Sequence, residues 1–462
     1  MGLHFNFVSI FVLCVGLMFW QAMLSGTWFV ALAMMISAML WMKRKKCLSV
    51  ADVVFAAAFL LNLWYMLFSW GNVRQYDYFN FFMHADYFII HDFFIAKPSD
   101  YLLSVYFQPP LWGAICGAIT KLMMLLGKTK EAGFDFVRFI NLFAISGVGI
   151  VFWRMSSLFI TKENLRFFGF SLFLFLPINA IMANLVNNDA MVYFLMTAVL
   201  YEAFLWYENG SWKQILIMSG LLFLGAMIKF SALMIVPALG ILCLFKLIET
   251  KNKFCAKLWG QFMVLGLGAV LGFLWGFMLL YHHLPLTPPP LNNDYQSMNG
   301  YAFSERMFSL AKIGMPFADL RGGEIEPNVW LTLVKTSLFG EWAWQGLLWG
   351  YLLYAIGMVC ALLFIGSFFG LFNYKIGKDY AINFALVVLV FSVFAAWINF
   401  WLDYPYFCSS EFRYVIILLP AAMIWLMNFL SNKKLPKTVD YVMAVGITLL
   451  VLGRVMLYLH TI

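Results

Sequence analysis

The sequence predicts an all-α integral membrane protein with about thirteen transmembrane helices, on three grounds: composition, the lengths of its apolar runs, and where its charges fall. Of 462 residues, 64% are apolar and 11% charged, against roughly 45–50% and 25% in soluble domains, so a water-facing surface cannot be assembled from them. Apolar runs of about 16 to 30 residues recur between charged or Pro/Gly-rich breaks, and such runs cross ~30 Å of hydrocarbon at 1.5 Å per residue with some tilt. Basic residues gather at the ends of those runs, which marks topology.

The expected spans lie near 5–24, 27–42, 50–70, 138–159, 166–184, 190–206, 215–230, 231–247, 258–281, 343–372, 380–400, 414–430 and 439–459. Three of them, 27–42, 215–230 and 231–247, are short. The first run lacks a basic leader and a small-residue cleavage site, so it is expected to be a retained helix. A further apolar segment, 109–127, decides the topology, because counting it as a crossing flips every later loop. If it instead dips into the outer leaflet, the basic loops at Lys43–Lys46, Lys162 and Arg166, Lys213, Lys246 to Lys257, Lys375 and Lys378, and Lys433 to Lys437 all face the cytoplasm. The expectation is therefore thirteen spans, an inside N-terminus, and one re-entrant or juxtamembrane helix in the first outside loop.

The charge balance is +8, yet the largest basic cluster is Lys43-Arg44-Lys45-Lys46. No nucleic-acid partner is expected. Seven cysteines are scattered without a CxxC pair, which argues against a zinc site or disulfide framework.

On this topology two long outside segments emerge, 71–108 and 282–342, with short ones at 184–190 and 401–413, and together the four hold most of the acids. In the first, His84, Tyr87 and His91 fall at i, i+3 and i+7 with mainly Phe and Ile opposite, the pattern of a helix lying in the interface plane. A half-desolvated carboxylate there, Asp77 or Asp86, would have a raised pKa and serve as a general base. The plainer alternative is that Asp77 caps the helix and the histidines anchor it at the headgroups. Asn187-Asn188-Asp189 opens a later helix and is explained cheaply by N-capping. Lys229, in Lys229-Phe230-Ser231, and Arg138 sit at outer helix ends, where snorkelling competes with pairing to a lipid phosphate. The loop 282–342 carries Thr287-Pro288-Pro289-Pro290 and Ser337-Leu338-Phe339-Gly340-Glu341, and its prolines and glycines predict an ordered, non-helical lid. Arg413 opens the penultimate span beside Glu411, placed to meet either an anion or its own neighbour.

In this order the segments resemble the GT-C superfamily of polytopic glycosyltransferases, in its bacterial branch related to protein O-mannosyltransferases and lipid A aminoarabinose transferase (glycosyltransferase family 39-like). The likeness covers about residues 50–430 and rests on the acidic first loop from Asp77 to Pro109-Pro110-Leu111, Asn188-Asp189, Lys229-Phe230-Ser231, Ser337 to Glu341, and Arg413-Tyr414. Residues 1–49 and 431–462 flank it as a helical hairpin and a cytoplasmic loop with the last span. The resemblance implies sugar transfer from a polyprenyl-phosphate donor to a lipid, glycan or protein acceptor outside the cytoplasm, at a cell membrane, with inversion. It implies Asp77 as the catalytic residue, with Asp86 in reserve because the Asp-Glu pair of the mannosyltransferases is missing. His84, Tyr87, Arg138, Asp189, Lys229, Glu341 and Arg413 become substrate-binding candidates. No cofactor is required by the sequence; a divalent cation between Asp77 and Asp189 stays open, although hard cations want more oxygen ligands. The rivals are a transporter, disfavoured by the absence of repeated helix lengths or membrane-centred charges, and a polyprenyl-lipid ligase or flippase component.

Overall fold

The computed structural model describes residues 49–69, 77–91, 109–250, 255–281, 297–318, 325–340, 347–369, 378–431 and 436–459. The first two expected spans, the basic cluster at Lys43–Lys46, and Glu341 lie outside these residues.

The described chain is helical. Its α-helices are α1 (Val50–Phe68), α2 (Tyr78–Ile90), α3 (Leu111–Leu125), α4 (Lys130–Asp135), α5 (Arg138–Ser156), α6 (Glu163–Phe175), α7 (Pro177–Asn184), α8 (Asp189–Asn209), α9 (Trp212–Ile228), α10 (Val236–Glu249), α11 (Ala256–Tyr281), α12 (Phe303–Phe308), α13 (Val329–Phe339), α14 (Leu347–Phe369), α15 (Lys378–Asp403), α16 (Leu419–Ser431) and α17 (Lys437–Leu459). Eight helices among the described residues are long and apolar enough to cross a membrane, or nine if the bent pair α6–α7 is one span. This is an α-helical, multi-pass membrane protein. The segments 212–228 and 416–431 are apolar but shorter.

One long core runs through the bundle, with Trp64, Trp112, Trp206, Trp397 and Trp401 almost fully buried in it. Close helix approach depends on small residues: on α11, a Cβ at Gly268 would lie 2.3 Å from Ser219 Oγ, and one at Gly272 would lie 2.8 Å from the Phe223 backbone. With lipid outside, such backbone-close packing is what holds two helices together.

Loop partners sort into two ends. At one end Arg138 donates to the Met66, Ser69 and Asn184 oxygens at 2.8, 2.6 and 2.8 Å, tying the end of α1 and the end of α7 to the start of α5. Residues 69–138 therefore leave and return at the same end. At the other end Lys162 reaches the Ser431 carbonyl, Tyr207 reaches Glu249 at 2.5 Å, and Gln261 reaches the Gly210 carbonyl at 3.0 Å. These are the loops in which the basic residues concentrate.

Two features of the interior depart from the sequence expectation. The expected span 166–184 is bent by 44° between α6 and α7. Pro177 has no N–H to give the Phe173 carbonyl, and Asn179 Nδ2 supplies the missing donor at 2.5 Å. The bend leaves the Phe175 carbonyl to Arg454 of α17, which also donates to Asn62 of α1. Arg454 is fully buried inside the span Thr438–Met456, so the expectation of no membrane-centred charge is corrected. It escaped notice because a lone Arg in an apolar run leaves the run's mean hydropathy high. Arg454→Met is expected to lower the unfolding temperature in lipid vesicles more than Arg454→Lys, because Met leaves both oxygens without a donor; equal melting would remove this role.

The second departure is the loop expected to be a non-helical lid. It contains α12 and α13, and α13 is buried against α7 and α14. Asn328 caps α13 by accepting from the Trp330 and Leu331 N–H groups at 2.9 and 3.0 Å, a cap worth about 1 kcal/mol. Lys335 is buried and paired with Glu326 at 2.5 Å. Gly340 ends the helix at φ 66°, ψ −150°, a region essentially closed to residues with a Cβ.

Candidate functional site

Arg138 gathers the ends of α1, α5 and α7, Asn141 of α5 donates to the Asn187 carbonyl just before α8 at 2.9 Å, and an ion cluster sits beside them. Asp77 occupies the N-cap position of α2, but its side chain makes no capping bond. Its Oδ2 lies instead 2.9 Å from an Arg413 guanidinium nitrogen. Capping is thus not what Asp77 does. Asp189, the first residue of α8, meets Lys229 through Oδ1, while its Oδ2 lies 4.0 Å from Arg413 Nε. The Asn188 amide is not a cap either: it donates to the Ile228 carbonyl at 3.2 Å, binding the start of α8 to the end of α9. Glu411 Oε2 is 3.1 Å from Arg413 Nε, so the pair with its neighbour exists, as one of three carboxylates on a single guanidinium.

The backbone explains the placement. Lys229 is the C-cap of α9 in an extended conformation, and a 3-10 turn over Phe230–Ile235 follows, so its side chain leaves the helix sideways toward Asp189. Short 3-10 turns over Phe407–Ser410 and Phe412–Tyr414 carry Arg413 inward, and Phe412 N–H is held by Thr336 Oγ1 of α13 at 2.9 Å. The Tyr414 ring lies under both cations, 5.1 Å from Lys229 Nζ and 5.2 Å from the Arg413 guanidinium carbon, an arrangement that favours both charges electrostatically.

Exposure separates the members. The Arg413 and Asp189 side chains are 4% and 8% exposed, Lys229 18% and Asp77 36%. Asp77 is the member that solvent or a ligand reaches first. Among the described residues, three carboxylates and two cations make up the cluster. A narrow apolar cleft beside Arg413 is lined by Ile178, Ile181 and Met182 of α7 with Thr336 and Gly340 of α13. Both amide atoms of Asn187, two residues before Asp189, are buried with no hydrogen-bond partner among the described residues.

The other candidates are placed elsewhere. Asp86 pairs with Lys130 of α4 at 2.6 Å. Arg138 is engaged by Asp135 in addition to its three oxygens at the helix ends, so protein acceptors already occupy it. His84 and Tyr87 are 5% and 3% exposed on the face of α2 that packs on α3, so both rings face protein. The Tyr87 ring packs at a tilt against His91, with centroids 4.5 Å apart. Among the described residues no group of three or more His, Cys, Asp or Glu side chains is arranged to hold a metal.

No family model and no curated protein matches this chain. What the cluster does must therefore be argued from its own chemistry.

The α2–α3 hairpin that carries Asp77 is set by one close approach. A Cβ on Gly113 would fall 2.7 Å from His84 Cδ2 and Nε2, closer than real side chains tolerate. Gly113→Ala is expected to cost about 1–3 kcal/mol through overpacking and to displace α2; an unchanged unfolding temperature in vesicles would refute it. Burial also pushes the His84 pKa from 6.5 down to about 4. The unfolded chain takes up that proton first, so the stability from neutral His84 is complete above pH 6.5 and is lost as the pH falls toward about 4. Thermal melts across that window should fall more steeply in wild type than in His84→Gln.

Proposed function

We propose that this protein is a membrane glycosyltransferase that takes a sugar from a polyprenyl-phosphate donor and passes it, with inversion, to an acceptor on the extracytoplasmic side of a cell membrane. The observation that supports this best is the convergence of Asp77, Asp189, Lys229 and Arg413, from four distant segments, on one end of a lipid-embedded bundle. They are also among the residues on which the GT-C resemblance rests. The topology in this reading has thirteen spans, with α3 as the one re-entrant or juxtamembrane helix, and puts the cluster on the side away from the basic loops.

In this reading the donor phosphate approaches Lys229 and Arg413 at headgroup level while the isoprenoid tail stays among lipid chains. Both cations already hold carboxylates, so binding is an exchange: phosphate oxygens take over Arg413, and Asp77 is released. A carboxylate that loses its cation becomes more basic. The freed Asp77 accepts the proton of an acceptor hydroxyl or amine as that atom attacks the anomeric carbon, and the bond to the phosphate oxygen breaks. Lys229 and Arg413 stabilise the departing phosphate. Arg138, committed to Asp135 and the helix ends, positions the site instead of binding phosphate. Should a divalent cation take part, Asp77 and Asp189 would be its nearest oxygens.

The test is transfer from radiolabelled polyprenyl-phosphate sugars in proteoliposomes, comparing wild type, Asp77→Asn and Asp86→Asn. Turnover lost with Asp77→Asn supports the reading. No turnover of any donor, with solute or lipid movement present, would replace it with the transporter reading, which the bend at Pro177 and the buried Arg454 favour more than the sequence does. A polyprenyl-lipid ligase or flippase component would bind donor without needing Asp77.

A further inference from the structure

The stretch from Phe308 to Phe317 takes no part in the ion cluster, and its outer surface is apolar. Phe308, Leu310, Ile313 and Met315 are 73%, 59%, 41% and 46% exposed. Lys312 is the charged residue among them, and its ammonium turns inward to the Ile325 carbonyl at 3.0 Å. A loop bathed in water would show the reverse, with the charge out and the large apolar groups in.

Its depth is fixed by α14. The Tyr354 hydroxyl donates to the Ile313 carbonyl at 2.9 Å, and the Phe317 ring fills the space over Gly350, where a Cβ would meet it at 2.8 Å. Both partners belong to the candidate span Leu347–Phe368. Gly350 and Tyr354 lie three and seven positions inside its end, about 5 and 10 Å along the axis. On the same helix Leu347, Leu348 and Tyr351 are 55%, 75% and 41% exposed. The apolar strip therefore continues the lipid-facing surface of α14 at the level of its first two turns. It lies at the site's end of the bundle, since the Phe317 ring also packs on Phe339 of α13, with centroids 4.9 Å apart.

We infer that Phe308–Phe317 is a membrane-inserted wall whose partner is the acyl-chain region of the leaflet on the site's side. Insertion to about 5–10 Å is the depth at which interfacial apolar segments seat. The large loop is then, at this stretch, a wall set in lipid and not a lid over water. The inference stands whether or not the cluster transfers sugars.

Leu310→Cys and Met315→Cys, each labelled with bimane in vesicles, test it, with Asn299→Cys as a control in an exposed polar turn of the same loop and labelled wild type as background. All three positions are exposed, so the substitutions leave the packing intact, and matched melting confirms that. The expected result is strong quenching of positions 310 and 315 by shallow doxyl-labelled phosphatidylcholine, with iodide quenching at least fivefold weaker than at position 299. Iodide quenching equal to that at 299 would overturn the inference by placing the strip in water. Quenching by neither agent would overturn it too, by covering the strip with another protein surface.

Discussion

Asp77→Asn is expected to lower sugar transfer by about 10²–10⁴-fold, the usual contribution of a positioned general base, while the protein folds and still binds donor. The substitution keeps the shape of the side chain and removes its proton-accepting charge. Its structural cost is small because the Asp77 side chain is 36% exposed and its partner Arg413 keeps Glu411 and Asp189. Donor binding should tighten slightly, since the phosphate no longer has to displace a carboxylate from Arg413. Asp86→Asn is the informative comparison: Asp86 is paired with Lys130, whose side chain is 33% exposed, and a partly solvated pair of this kind is worth about 1 kcal/mol or less. It should lower transfer less than tenfold. The readout is single-turnover transfer beside equilibrium binding of a polyprenyl phosphate; equal loss in the two variants, or loss of binding with Asp77→Asn, would show that Asp77 is no base.

Sequence reasoning located helices at each of the eleven expected spans that fall in the described residues, because a 20-residue apolar run in lipid has few alternatives to a helix. Its errors share a cause. Pro177 and Arg454 lie inside apolar runs, and mean hydropathy hides both the backbone donor that Pro177 lacks and a charge whose partners, Phe175 O and Asn62, come from other helices. The 282–342 loop misled through its prolines and glycines, although the cap at Asn328 followed by Val329-Trp330-Leu331 was a readable helix start. In the site, Asp77, Asp189, Lys229 and Arg413 were singled out one by one on weak local signals. What no local signal carried was that a single guanidinium joins three of the segments. Nor did spacing separate Arg138 from Arg413: both are arginines at helix starts, and only tertiary partners show one tied up with Asp135 and the helix ends and the other holding the carboxylates of the site.

Arg413 should be the position least tolerant of change. Its guanidinium meets Asp77, Asp189 and Glu411 from a side chain 4% exposed. Arg413→Met would take away the guanidinium that those three carboxylates share, and removing one partner from a buried charge set costs about 3–5 kcal/mol, so this variant is expected to unfold or to lose α16 from the bundle. Arg413→Lys is the sharper experiment. Lysine keeps the charge but presents a compact ammonium without the planar fork that lets arginine face several oxygens at once. It should keep most of the thermal stability yet lose transfer and polyprenyl-phosphate binding together, by about tenfold or more if one charge-assisted hydrogen bond of roughly 1.5–3 kcal/mol is forfeited. Asp189→Asn in the Arg413→Met background supplies the control for charge. Removing one of the stranded carboxylates should restore part of the melting temperature without restoring transfer. Recovery of both would mean that Arg413 serves only to neutralise its neighbours, and the phosphate would then have to be held by Lys229.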